Sequence, residues 1–93
     1  MAVTPIPGVN STVVTGGTPV TAVNGGPNGG FITNPYTAAT PLFVNPVTAA
    51  TTTARGTTFA LQPGDTWDLI PGQTTPTSVN STDSGHTFSV VSW

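Results

Sequence analysis

Cysteine, lysine and glutamate are absent from this chain of 93 residues. Without cysteine the chain can form no disulfide, and disulfides, a metal or oligomerisation are the usual stabilisers of so small a domain. A single histidine with no second histidine or cysteine makes a weak zinc site, so we expect no metal and no cofactor. Oligomerisation, or docking onto a larger partner, is therefore the expected source of extra stability.

Charged side chains make up 4% of the sequence, against about a quarter in an ordinary soluble domain. They are Arg55, Asp65, Asp68 and Asp83, with His86 as the single histidine. One arginine cannot displace the counterions on which nucleic-acid binding depends, so no nucleic-acid partner is expected. So few charges also give little protection against self-association. We therefore expect much of the surface to be covered by other protein; the alternative is a monomer kept soluble by threonine, serine and asparagine.

No apolar run approaches the roughly 20 residues that a membrane-spanning helix needs, so no membrane partner is expected. Residues 1–7 show no basic region followed by an apolar stretch, so no signal peptide is expected. Both observations favour a protein that is synthesised in a cytoplasm.

Glycine and proline are plentiful, at 11 and 10 residues, and they separate short runs rich in threonine and valine. β-Branched residues favour strands, and this rhythm is typical of a sandwich or barrel. The sequence predicts an all-β fold, a small antiparallel β-sandwich or jelly-roll-like barrel, as a single domain over residues 11–93. Residues 1–10 are predicted to be an extended N-terminal arm, because Pro5 and Pro7 bracket Ile6 and prevent regular strand pairing.

Eight strands are predicted, with a glycine-rich loop over residues 24–30. The predicted strands cover residues 12–15, 19–23, 31–33, 42–44, 57–62, 66–70, 77–80 and 86–93. In the last strand, alternation places His86, Phe88 and Val90 on one face and Val91 and Trp93 on the other. A strand that is apolar on both faces is central or covered by a partner, so we expect Trp93 to be packed.

An internal repeat with a period of 11 residues relates residues 31–40 to residues 42–51. Each copy reads as an apolar triplet, an Asn-Pro pair and then Thr-Ala-Ala-Thr. Proline cannot donate to a ladder, so each short strand should end at its Asn-Pro pair. The repeat predicts two successive strands of one sheet.

The titratable residues offer little catalytic chemistry. Asp65 and Asp68 lie on either side of Trp67; on a strand they would point to opposite faces, and Asp65 after Pro-Gly is better placed to cap a turn. Residues 83–86, Asp-Ser-Gly-His, invite comparison with a hydrolytic triad or a metal site. We interpret them as a turn followed by a packed or hydrogen-bonded surface histidine, and we predict that the protein is not an enzyme.

Two further features of the sequence resemble binding sites. The glycines of residues 25–30 lack the following helix and the lysine of a phosphate-binding loop, so we interpret them as a plain loop. Tyr36, Trp67 and Trp93 could form a platform for stacking sugars, but aromatic residues in a small domain are more often part of the core.

Four stretches of this sequence resemble the small β-rich decoration, or cement, proteins that coat the heads of tailed bacteriophages. They cover residues 25–35, 41–46, 58–67 and 84–93. The resemblance implies a compact, often trimeric β-domain on the capsid surface of the virion, where it would clamp neighbouring major capsid subunits. No catalytic residue is implied. Because this chain carries less charge than most such proteins, a tail or fibre component remains an alternative identity.

Contacts between subunits are expected at the arm, at the glycine-rich loop and at the last residue. The candidate contact residues are Val3, Pro5, Ile6, Pro7, Pro27, Asn28 and Trp93. Expected partners are the major capsid protein and further copies of this chain, with a homotrimer favoured. The alternative function is a carbohydrate- or receptor-binding β-module of a phage tail or fibre, which would need exposed aromatic residues.

Overall fold

The computed structural model describes residues 10–24 and 28–93, and these residues form nine short strands and no helix. The strands are β1 (Thr12–Val13), β2 (Val20–Val23), β3 (Gly30–Thr33), β4 (Leu42–Asn45), β5 (Phe59–Leu61), β6 (Thr66–Asp68), β7 (Thr77–Asn80), β8 (His86–Thr87) and β9 (Ser89–Ser92). Most of the predicted arm lies outside the described residues, as do five of the candidate contact residues: Val3, Pro5, Ile6, Pro7 and Pro27.

The strands form two main sheets and a short ribbon, and every pairing is antiparallel. One sheet has the order β2-β7-β4-β5, the other has the order β6-β3-β9, and the ribbon pairs β1 with β8. The prediction of an all-β antiparallel domain is confirmed, and the arrangement is consistent with a small β-sandwich.

The core contains side chains from both sheets and from the ribbon. Val20, Val79, Val44 and Phe59 lie in register across the four-stranded sheet. Trp67, Ile32 and Val90 form the corresponding row of the three-stranded sheet. Residues of both rows belong to one apolar cluster. Complete burial of a valine, leucine or isoleucine stabilises the fold by about 1.5–3 kcal/mol, which makes these rows its main source of stability.

Each of the eight predicted strands is present, but the last one is divided. β8 pairs with β1, whereas β9 pairs with β3, and between them the Phe88 amide donates to the Ser11 carbonyl. Side-chain alternation continues through the division: Phe88 is buried and Val91 is 42% exposed. The sequence does not reveal where the pairing changes from β1 to β3, because buried and exposed side chains alternate without interruption.

The prediction that the two repeat copies form successive strands of one sheet is wrong. The first copy forms β3 in the three-stranded sheet, and the second forms β4 in the four-stranded sheet. The residues after Pro35 carry the chain from one sheet to the other. What the copies share is local: Asn34 and Asn45 each close a strand and are buried, with 0% and 2% exposure. The repeat therefore marks a common strand ending.

The loop over residues 46–58, which we call the strap, covers the outer face of the four-stranded sheet. Polar side chains of that face hold it: the Asn80 amide donates to the Ala50 carbonyl at 2.9 Å, and the Ala50 amide donates to Ser78 Oγ at 2.9 Å. Asn45 Nδ2 donates to Thr58 Oγ1, also at 2.9 Å. All four residues of both β4 and β7 are consequently buried, although their outward side chains are mostly polar.

Candidate functional site

The turn between β7 and β8 presents the acidic residue and the histidine that the sequence singled out. Gly85 has φ +75°, a conformation that glycine adopts without strain, and its amide donates to the Val13 carbonyl. The Ser84 hydroxyl accepts from the Gly16 amide at 2.9 Å. These contacts tie the turn to β1 and to the segment after it, so the predicted turn is confirmed. His86 is hydrogen-bonded, as predicted, but the prediction that it is a surface residue is wrong, because it is only 8% exposed.

His86 lies at the centre of a buried hydrogen-bond network. Its Nδ1 is 2.7 Å from Ser81 Oγ, and its Nε2 is 2.8 Å from Asn34 Oδ1. Asn34 Nδ2 donates to the carbonyls of Thr40 and Leu61. Ser81 follows β7, Asn34 follows β3 and His86 begins β8, so one imidazole links both sheets and the ribbon.

These partners define the protonation of the ring. Asn34 presents its carbonyl oxygen to Nε2, so Nε2 carries a hydrogen and donates. Nδ1 is then the acceptor for the Ser81 hydroxyl. Burial lowers the pKa of His86, and the nearby Asp83 carboxylate opposes that shift. The direction of the pKa shift favours a neutral imidazole, the form in which Nδ1 accepts from Ser81.

A serine, a histidine and an asparagine in a row resemble the relay of a hydrolase, but accessibility argues against that chemistry at Ser81. Its side chain has 0% exposure and His86 has 8%. A nucleophile must meet its substrate, and Ser81 has no exposed surface. The network therefore acts as a structural joint between the sheets.

An open cavity of about 230 Å³ lies beside the histidine, between residues 35–39 and residues 83–87. The Thr40 hydroxyl donates to the Asp83 carboxylate at 3.0 Å near this cavity and lies 3.3 Å from His86 Nδ1. Among residues 10–24 and 28–93, no group of three or more histidine, cysteine, aspartate or glutamate side chains could hold a metal ion.

The other acidic residues occupy separate positions. Asp65 caps its turn as predicted: its carboxylate accepts from the Gln62 amide at 2.9 Å, and its own amide donates to the Gln62 carbonyl. Asp68 lies opposite Phe31 in the three-stranded sheet. Neither residue has a second acidic or basic side chain among its hydrogen-bond partners in the described chain.

The aromatic residues divide into packed and exposed ones. Trp67 packs against the core, with its ring centroid 5.1 Å from that of Phe59. Trp93 is partly buried over Gly29, whose position would place a Cβ 3.0 Å from the indole. Tyr36, in contrast, is 84% exposed, so the expectation that it belongs to the core is wrong. It occupies a tight turn, in which the Ala38 amide donates to the Pro35 carbonyl and no sheet covers the ring.

Two candidate contact residues, Asn28 and Trp93, come together. The amides of Asn28 and Gly29 both donate to the Trp93 carbonyl, and the Trp93 amide donates to the Gly29 carbonyl at 3.2 Å. Asn28 is exposed. The structure thus places the described part of the glycine-rich segment beside the last residue, on one surface.

Sequence reasoning missed Asn34, Ser81 and Thr40 as partners of the histidine. The Asn-Pro pair indicated where β3 ends, but the direction of the Asn34 amide depends on residues 52 positions away. No local pattern could have revealed that contact.

Comparison with protein-family models, curated proteins and solved structures finds no significant match to the chain. Among the described residues there is no helix that is long and apolar enough to cross a membrane.

Proposed function

We propose that this chain is a structural, non-catalytic protein that decorates the head of a tailed phage and stabilises contacts between major capsid subunits. The observation that carries the proposal is the character of the surface. Four charged side chains, all exposed, are spread over an accessible area of 4935 Å². The described surface also exposes five large apolar side chains: Val14, Tyr36, Val47, Ile70 and Val91.

A surface of this kind suits binding to protein. Interface cores are depleted of charged residues and enriched in aromatic ones, and the exposed Tyr36 has that character. The resemblance of residues 25–35, 41–46, 58–67 and 84–93 to head decoration proteins supports the same class. Both ring nitrogens of the only histidine are hydrogen-bonded to residues that follow strands of the two sheets, which fits a structural role for this residue.

The mechanism is mechanical. Each copy would contribute small patches of threonine, valine and proline to its neighbours, and many such contacts on one particle add up through multivalency. A homotrimer would present three equivalent patches around a symmetry axis of the shell.

Binding to capsids tests this proposal. The purified protein is mixed with empty heads assembled from the major capsid protein encoded in the same genome, and bound and free protein are separated by sedimentation. Saturable binding at a fixed number of copies per head, with a raised melting temperature of the heads, is the expected result. Heads that neither bind the protein nor gain stability would refute it.

A carbohydrate- or receptor-binding module is a second candidate, and the exposure of Tyr36 favours it. An exposed aromatic ring can stack on the apolar face of a sugar. Titration with a glycan panel, followed by tyrosine and tryptophan fluorescence, separates the candidates. Quenching that Tyr36→Ala abolishes supports the second function, whereas no response to any glycan supports the structural one.

A further inference from the structure

The open cavity between residues 35–39 and residues 83–87, which we call the histidine cavity, combines apolar and polar lining. Its volume of about 230 Å³ is below the roughly 300–1,000 Å³ of pockets for drug-sized ligands, so it suits a single side chain. The segment before β4 contributes mainly apolar residues and the turn before β8 mainly polar ones. They are Pro35, Ala38 and Ala39 on the first segment, and Asp83, Ser84 and Thr87 on the second.

Asp83 is the one ionised side chain among the described residues that line this cavity. It is exposed, and within residues 10–24 and 28–93 its carboxylate accepts one hydrogen bond, from the Thr40 hydroxyl at 3.0 Å. The two oxygens of a carboxylate can accept about four hydrogen bonds. Asp83 therefore has capacity for further donors, and its charge favours donors that are cationic.

His86 does not balance the charge of Asp83. Its Nε2 donates to Asn34 and its Nδ1 accepts from Ser81, so neither ring nitrogen has a free hydrogen to offer the cavity. Burial lowers the pKa of His86, which keeps the ring neutral at pH 7. The cavity consequently contains a carboxylate and no opposite charge from its described lining.

A lysine or arginine side chain matches this combination of groups. Both have an apolar stem and a cationic head. The stem can pack against Pro35, Ala38 and Ala39, while the head donates to Asp83. A metal ion would find no group of three suitable side chains in the described part of the chain, and a neutral sugar would leave the charge of Asp83 unbalanced.

The chain itself is a poor source of this cation. It contains one basic side chain, Arg55, against three aspartates, and its net charge is −2. Arg55 belongs to the strap, where it lines a different cavity. Copies of this chain therefore provide fewer cations than carboxylates, and a different protein is the better source.

We propose that the histidine cavity binds a lysine or arginine side chain of the protein on which this chain docks. The charged head pairs with Asp83, and the stem lies along the residues of the segment before β4. The inference deepens the proposed function and rests on it for the identity of the partner, the major capsid protein.

A titration of the full chain with Nα-acetyl-lysine amide tests the cavity directly. Nα-Acetyl-norleucine amide, which has a stem of the same length and no ammonium group, is the neutral control. The NMR signals of the amides of residues 83–87 report binding. We expect only the lysine probe to saturate, with a Kd that Asp83→Asn raises roughly fivefold or more.

Asp68→Asn is the matched variant, because Asp68 is equally exposed to solvent contact but does not line the histidine cavity. Circular dichroism checks that both variants fold. Asp68→Asn should leave the Kd of the lysine probe unchanged. Equal binding of the lysine and norleucine probes, or equal binding by Asp83→Asn and wild type, overturns the proposal.

The pKa of His86 provides a second readout, which a neutral ligand would not change. The charge of Asp83 raises this pKa, and the side chains in contact with the ring, those of Ser81, Asn34 and Thr40, are uncharged. A cation bound to Asp83 would offset its charge, so the pKa should fall further when the lysine probe is saturating. An unchanged pKa at saturation overturns the proposal.

Binding to empty heads identifies the source of the cation. Asp83→Asn should bind heads more weakly than wild type, and added salt should reduce the difference. Asp68→Asn and Arg55→Gln should bind as wild type does. Weaker binding by Arg55→Gln would assign the cation to a second copy and overturn the choice of partner. If wild type itself does not bind heads, the decoration function fails, whereas the lysine titration still decides whether the cavity is a site.

Discussion

At the scale of single residues, His86 joins parts of the fold that are distant in sequence. Its two ring nitrogens contact Ser81 and Asn34, which close strands of opposite sheets. A buried polar group that loses its hydrogen-bond partner destabilises the fold, because it cannot bond to water instead. The imidazole therefore stabilises the fold by providing hydrogen-bond partners for the buried Ser81 and Asn34 side chains.

Replacement of His86 by alanine is expected to destabilise the fold strongly. Asn34 Oδ1 and the Ser81 hydroxyl would each lose a partner, at a cost of about 1–3 kcal/mol for each group. Urea denaturation followed by circular dichroism measures the change, with the exposed neighbour Thr87→Ala as control. Equal midpoints for the two variants would show that the network contributes nothing to stability.

The same residue predicts how stability depends on pH. Burial lowers the pKa of His86, and the nearby charge of Asp83 opposes the shift only in part. The histidine contribution is therefore complete above its unfolded pKa of about 6.5 and is lost as the pH falls through that value toward the lower folded pKa. Denaturation midpoints between pH 8 and pH 5 should decline more steeply in wild type than in His86→Ala. Parallel curves would contradict the assignment.

Gly30 shows that a glycine can be required for space rather than for a turn. It belongs to β3, not to the predicted loop, and a Cβ at its position would lie 2.1 Å from the Val91 carbonyl oxygen. We expect Gly30→Ala to cost about 3 kcal/mol or more, since both backbone strain and overpacking oppose it. Gly72 also has a positive φ but no atom within 4 Å, so Gly72→Ala is the matched control. Similar melting temperatures for both variants would show that crowding is unimportant.

At the scale of elements, the strap explains why two central strands are buried on both faces. Its backbone is bonded by side chains of the sheet beneath it, chiefly Asn80, Ser78 and Asn45. These bonds satisfy polar groups that would otherwise need water, so the strap can lie flat on a polar sheet face.

Trypsin provides a selective probe of the strap. Arg55 is the only lysine or arginine in the chain, and it lies within the strap. Asn80→Ala removes the bond to the Ala50 carbonyl, at a cost of about 1–3 kcal/mol, and should accelerate cleavage at Arg55 roughly fivefold or more. Asn24→Ala, an exposed change of the same kind, serves as the control. An unchanged cleavage rate in Asn80→Ala would mean that the bond does not hold the strap.

The sequence predicted the elements better than their partners. Runs of β-branched and other apolar residues between glycine and proline located every described strand, because these signals are local. The sheet assignment of the repeat failed, since Phe31 and Leu42 occupy equivalent places in equivalent patterns but pair with strands far apart in the chain. The strap was missed for a related reason: its bonds come from β7, and its own composition resembles an ordinary polar loop. At the candidate site, the turn at Asp83 was predictable, but the partners of His86 were not.

At the scale of the whole molecule, the domain is small and almost uncharged, and it leaves apolar side chains at its edges. A chain of this length buries a modest fraction of its surface and is marginal alone. Its few charges, Arg55, Asp65, Asp68 and Asp83, are all exposed. Such a surface would gain stability on being covered, and under the proposed function a shell of many identical sites would provide that cover.

Sedimentation of the purified chain, alone and with empty heads built from the major capsid protein of the same genome, tests this central claim most directly. The account predicts a self-associated species that moves with the heads at saturating, stoichiometric occupancy. A monomer that stays soluble at high concentration and remains in the supernatant, with its apolar side chains open to solvent, would contradict it.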